Sequence, residues 1–142
     1  MRRMLLIAAL LAAPAPGQSA PGLATVEVAS VSSAAGMEPI HPDQATTARR
    51  HAPGPVTIVV REVGIGGTRL TLIDGGARQL PSTTRPLCGP QLVAGSCRPG
   101  ETIAGLEITY RIGRIASGQT FVFRDRSASG VGAPLEARIT IA

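Results

Sequence analysis

The chain has 142 residues, a formal net charge of +5 and 44% apolar residues, which leaves room for one domain of ordinary size and not for a second core. All 14 basic residues are arginine, spread along the chain, and the aromatic residues are only Tyr110, Phe121 and Phe123. Without a basic cluster or stacking faces, nucleic-acid binding is excluded as an expectation.

Met1-Arg2-Arg3 supplies positive charge, Met4 to Ala13 is an uninterrupted apolar run, and small residues and prolines follow. This is the order of a secretory signal peptide, read here as residues 1–20 with cleavage between 17 and 24. A spanning helix needs roughly 20 apolar residues, so the shorter run predicts export, periplasmic or secreted, without a permanent membrane anchor. Arg2-Arg3 alone does not make a twin-arginine signal.

Residues 21–55 read as a flexible Pro/Ala/Ser-rich segment. Thr25–Val31 alternates only in part and predicts one short strand. A β domain is then expected over 56–142. Val56–Val63 and Thr68–Ile73 are rich in β-branched residues and flank Gly64-Ile65-Gly66-Gly67, a pattern that predicts a β-hairpin. Asp74-Gly75-Gly76 provides residues suited to positive φ. Leu80–Gly100 holds four prolines and both cysteines, a composition hostile to helix interiors and central strands, and reads as a stapled surface excursion. Leu106–Ile112, Thr120–Arg124 and Leu135–Ile141 alternate cleanly. The expected fold is therefore all-β, a small antiparallel β-sandwich or partly open barrel of five to seven strands.

Candidate chemistry is sparse. His41 and His51 fall in the proline-rich segment and read as solvated loop histidines, since a catalytic base must first be positioned. Cys88 and Cys97 are separated by eight residues, wider than a zinc-ligand pair, and in an exported protein predict a disulfide. No metal or other cofactor is expected. Gly64–Gly67 resembles a phosphate loop only superficially, because a strand follows where a helix is required and the chain has no lysine. Arg111, Arg114, Arg124 and Arg126 are a candidate anion patch. Gln91, Leu92 and Val93, near the tip of the Cys88–Cys97 loop, are the candidate partner-binding residues, because a pre-organised loop loses less entropy on association.

The function expected from the sequence is that of an exported, non-enzymatic β domain that binds another envelope or extracellular component. The alternative is a structural subunit that self-associates through a sheet edge by adding its N-terminal strand to a neighbour. A small secreted enzyme or inhibitor comes third, because paired catalytic groups are lacking in the part expected to be ordered.

Overall fold

The computed structural model describes residues 22–142; the expected signal peptide lies outside the described residues. These residues form ten strands: β1 (Thr25–Ser33), β2 (Gly36–Pro39), β3 (Gly54–Val63), β4 (Leu70–Ile73), β5 (Gly76–Arg78), β6 (Ser82–Cys88), β7 (Val93–Ala94), β8 (Ile103–Ile115), β9 (Thr120–Asp125) and β10 (Leu135–Thr140). Every named strand pairing is antiparallel. One sheet runs β2-β1-β3-β8-β6-β7 and the other β10-β9-β4-β5, and they pack face to face as a small β-sandwich. The strands beyond the expected seven, β2, β5 and β7, are two to four residues long, too short to leave a periodic signal.

Alternation drives the packing. Val56, Ile58 and Val60 of β3 and Ile108, Tyr110 and Ile112 of β8 point inward, where they meet Phe121 and Phe123 of β9 and Ile139 of β10. Tyr110 and Phe123 rings lie 4.8 Å apart between centroids, so two of the three aromatics join the sheets at one point. In β1 the inward residues are Val26, Val28 and Val31, a spacing that breaks the period of two. The break has a cause: the register to β3 slips between Val28 and Ser30, and this bulge at Ala29 turns Val31 back to the core face.

Three expectations are corrected. Residues 21–55 are not a flexible tether over their described part, because β1 is paired on both sides, with β2 and β3, and Glu38, Ile40, Thr47, His51 and Ala52 are buried. Composition concealed this, since the segment is held by polar and backbone hydrogen bonds. Thr47 N–H donates to Thr140 O, Thr140 N–H to Ala45 O, and both His51 and Ala52 N–H groups to Ala142 O. Next, Val56–Val63 and Thr68–Ile73 do not make a hairpin. The chain leaves β3 in the larger sheet and enters β4 in the smaller one, where β4 lies between β5 and β9. Gly66 sits in that crossing, and a methyl group there would overlap the Asp125 carboxylate. Finally, Leu80–Gly100 contains a strand: β6 pairs along β8 with Leu87 fully buried. Pro86, the one proline within β6, is tolerated near the rim of the sheet, where one side of the strand is largely unpaired. The Asp74-Gly75 turn joins β4 to β5, with φ of 48° and 82°, as a two-residue hairpin turn requires.

The outer face of the larger sheet carries a row of alternating charge. Glu27, Arg61, Glu107 and Arg85 stand in register across β1, β3, β8 and β6. Glu107 is buried although it faces outward, because Arg61 and Arg85 close over it from both sides. Burial alone would raise its carboxyl pKa, but the bonds from Arg85 and Arg61 outweigh that and hold it below the ordinary value. Arg61→Ala or Arg85→Ala alone should cost about 1 kcal/mol or less, because one arginine still covers the carboxylate. Together they should cost more than the sum, roughly 3 kcal/mol, by leaving Glu107 unpaired. Urea unfolding of the four members of this double-mutant cycle measures the difference.

Candidate functional site

Three places gather chemistry: two that the sequence did not point to, and the Cys88–Cys97 loop that it did. The best-defined relay is made by Ser33 at the end of β1, Glu38 in β2 and His51 in the following segment. Ser33 Oγ lies 2.7 Å from His51 Nδ1, and His51 Nε2 lies 3.2 Å from Glu38 Oε2. Glu38 also accepts from Ala48 N–H (2.7 Å), Arg49 N–H (2.8 Å) and Gln44 Nε2 (2.7 Å). Burial by itself raises the Glu38 carboxyl, but the two backbone donors, then Gln44 and His51, outweigh it and bring its pKa to about 2. An ionised carboxylate can only accept, so Nε2 of His51 carries a proton. In the neutral ring Nδ1 is then the acceptor, and the Ser33 hydroxyl donates to it. A cavity of about 340 Å³ adjoins Ser33 and His51 and is walled by alanines, prolines and glycine, with Arg50 among its lining residues.

His51 is thus fully enclosed rather than solvated, while His41 is exposed as expected. Ser33, His51 and Glu38 are thus brought together in the ordered part, where the sequence offered no such grouping. The signal available in the sequence was weak: Ser33, Glu38 and His51 have no motif spacing, and only the tertiary placement of residues 40–52 brings them together.

A second cluster lies inside the sandwich. Arg69 bonds both oxygens of Glu62 at 2.8–3.1 Å, and its Nε is 3.7 Å from Asp125 Oδ2. Asp125 Oδ1 accepts from Thr68 and Arg126 N–H, whereas Oδ2 has no hydrogen-bond partner among the described residues. Burial, opposed by Arg69 but joined by the adjacent Asp125 carboxylate, holds the Glu62 carboxyl above its ordinary value. Arg69 and Tyr110 reach from this cluster to an open cleft of about 450 Å³ between the two sheets, which Thr71, Arg78, Gln79 and Ser82 also line.

The third place is the Cys88–Cys97 loop. The disulfide is present, with a Cα–Cα distance of 5.3 Å, inside the range such bonds require. Glu101 approaches both sulfurs, but bonded sulfurs offer no thiolate to a metal. The loop returns as β7, pairing Leu87 with Ala94 and Cys88 with Val93. Gln91 and Val93 are exposed and Leu92 is half-buried. Leu92 has φ of 55°, a left-handed conformation that costs a non-glycine residue roughly 1–2 kcal/mol.

The candidate anion residues are divided between the sheets. Arg111 and Arg114 are exposed on β8, and Arg126 is exposed just after β9. Arg124 lies on β9 with Nε and Nη2 already bonded to Glu136 at 3.1 and 2.9 Å. The arginines that meet buried carboxylates are Arg61, Arg69 and Arg85.

A family described as a domain of unknown function (DUF4879) matches residues 13–141. The chain belongs to that family. The match takes residues 22–55 together with the strands after them as one unit, in agreement with the pairing of β1. No curated protein and no solved structure matches the chain. Among the described residues no helix is long and apolar enough to cross a membrane.

The Glu38 arrangement fixes a pH dependence. A carboxyl whose pKa is depressed by folding contributes stability that is present above its ordinary value, 4.5, and is lost as pH falls toward about 2. The urea midpoint should therefore drop between pH 5 and pH 2. Glu38→Gln should lower the midpoint at pH 7 and flatten that slope, as measured by urea titration at a series of pH values.

Proposed function

We propose that this DUF4879 domain is exported and captures another envelope or extracellular protein through the side of the sandwich formed by β6 and the Cys88–Cys97 loop. The observation that carries the reading is a coincidence of position. β7 covers only Leu87 and Cys88, so among the described residues no strand lies on the outer side of Ser82–Arg85 of β6, and all four residues are exposed. The stapled loop continues directly from that open edge. An extended segment of a partner can add to such an edge by main-chain hydrogen bonds, with neighbouring side chains giving specificity.

The exposed apolar residues support the same side. Val93 is 59% exposed and Ile103 48% exposed, and Ile103 pairs with Cys88 across β6 and β8. Leu92 adds a second argument, since a strained backbone at a loop tip is retained where the surroundings or a function require it. Closing the ten-residue loop contributes roughly 2.5–3 kcal/mol in the chain-entropy model and also fixes the loop before a partner arrives. Export is supported by the N-terminal apolar run and by the disulfide, which persists in oxidising compartments.

Assembly by donation of residues 25–31 is the less supported reading. In this chain β1 already pairs on both sides, and giving it to a neighbour would break two ladders.

Two outcomes are expected. The protein recovered from envelope or medium should lack 17–24 N-terminal residues and two hydrogens by intact mass without reductant; a full-length reduced protein inside the cell would overturn export. Val93→Glu should abolish cross-linking to the envelope partner that the unaltered protein captures, and Leu92→Gly should weaken it while raising the urea midpoint by relief of the positive φ. Unchanged capture by both variants would remove the loop from the interface.

A further inference from the structure

We infer that Ser33 is an activated nucleophile, served by His51 and oriented by Glu38, which accepts the acyl group of a short carboxylic ester. The site lies on β1 and β2, at the opposite edge of the larger sheet from β6 and β7, so it is independent of the partner-binding surface.

The chain of hydrogen bonds has the polarity that activation needs. Serine is weakly nucleophilic until a base takes its proton, and a base works only when a third group fixes its tautomer and stabilises its charge. Glu38 is ionised and held by four donors, so it fixes the proton on Nε2 and leaves Nδ1 free to accept from Ser33 at 2.7 Å. The ring nitrogens are exchanged relative to the familiar serine hydrolase arrangement, which changes nothing in the proton logic. Ala35 N–H donates to Ser33 Oγ at 3.1 Å, which occupies one lone pair and favours directing the hydroxyl proton to His51. A structural tie shares this order but needs no cavity beside the hydroxyl.

The cavity selects the substrate class. Its walls near Ser33 are Ala34, Ala35, Ala52 and Pro53, small apolar groups that suit a short acyl chain. In the reaction, Ser33 Oγ bonds to the ester carbonyl carbon while its proton passes to His51 Nδ1. The tetrahedral intermediate then expels the alcohol oxygen, which takes that proton from His51, leaving acyl-Ser33 and a free alcohol. Water, deprotonated by the same Nδ1, attacks the acyl carbon, the ester bond to Ser33 breaks, and the proton returns to Oγ. Among the described hydrogen bonds the Ala35 N–H is taken up by Oγ itself and so does not serve the carbonyl oxygen of a substrate. Loss of an oxyanion donor costs roughly a hundredfold or more in rate, so the expected signature is acylation by an activated ester rather than rapid turnover.

The test uses the oxidised, full domain with p-nitrophenyl acetate and, separately, a fluorophosphonate. Absence of lysine from the chain removes the usual competing side chain for acetylation. Peptide mapping should find one acetyl or phosphonyl group on Ser33. Ser33→Ala should lose it, and His51→Gln and Glu38→Gln should slow it, the former by roughly a hundredfold, with far-UV circular dichroism and the intact disulfide confirming the fold of each variant. Modification of Ser33 no faster than of other serines in the unaltered protein would overturn the inference without reference to any variant. So would an undiminished rate in a folded His51→Gln protein. In either case the three residues would be a structural tie alone, and the partner-capture reading would stand or fall separately on Val93.

Discussion

The Glu38 carboxylate is the interaction on which most of this architecture depends. It sits in a four-residue strand and accepts hydrogen bonds from Ala48, Arg49, Gln44 and His51, groups drawn from residues 40–52, where Ile40 is the one large apolar side chain. Without an anion at that point, residues 40–52 would have to leave four donors facing a poorly hydrated interior, each at a cost of about 1–3 kcal/mol. With it, the segment folds across one end of the sandwich. It joins β2 of the larger sheet to β10 of the smaller through the bonds at Thr47, Thr140, His51 and Ala142. One buried charge therefore fixes the edge of one sheet, closes the edge of the other and places His51 against Ser33.

The same device recurs elsewhere. Glu107 is covered by Arg61 and Arg85, and Glu62 is gripped by Arg69 with Asp125 beside it. A small domain with three aromatic residues buries less apolar area than most of its size, and here buried acids organise the places where Val and Ile do not reach. Such ionic contacts contribute less to net stability than to the uniqueness of the arrangement, because desolvation offsets much of the attraction. The arginine bias of the sequence, which implied a dispersed basic surface, is in part the complement of these acids.

What the sequence made legible was what depends on local period. Leu106–Ile112 and Leu135–Thr140 alternate, form strands and face as the alternation predicts, and Asp74-Gly75 turns the chain as its residue types require. Cys88 and Cys97 pair as their spacing predicts. Other features depended on distant contacts and were hidden. The bulge at Ala29 interrupts the period in β1, so a central strand resembles an isolated one. The crossing at Gly64–Gly67 is glycine-rich for close approach to Asp125 and to the backbone at Gly22, yet the same residues suit a hairpin. His51 looks solvated in a row of Arg, Ala and Pro, and becomes buried only because Glu38 and Ala142 are waiting for it.

The most direct measurement is native-state hydrogen exchange at single amides, followed by NMR at pH 6 on the oxidised protein. If Glu38 organises residues 40–52 as part of the domain, the amides of Thr47, Ala48, Arg49, His51 and Ala52 exchange orders of magnitude more slowly than in an unfolded chain, approaching those of β3 and β8. Exchange of these amides at unprotected rates, beside fully protected β3 and β8, would contradict the account and restore the segment to a flexible tether.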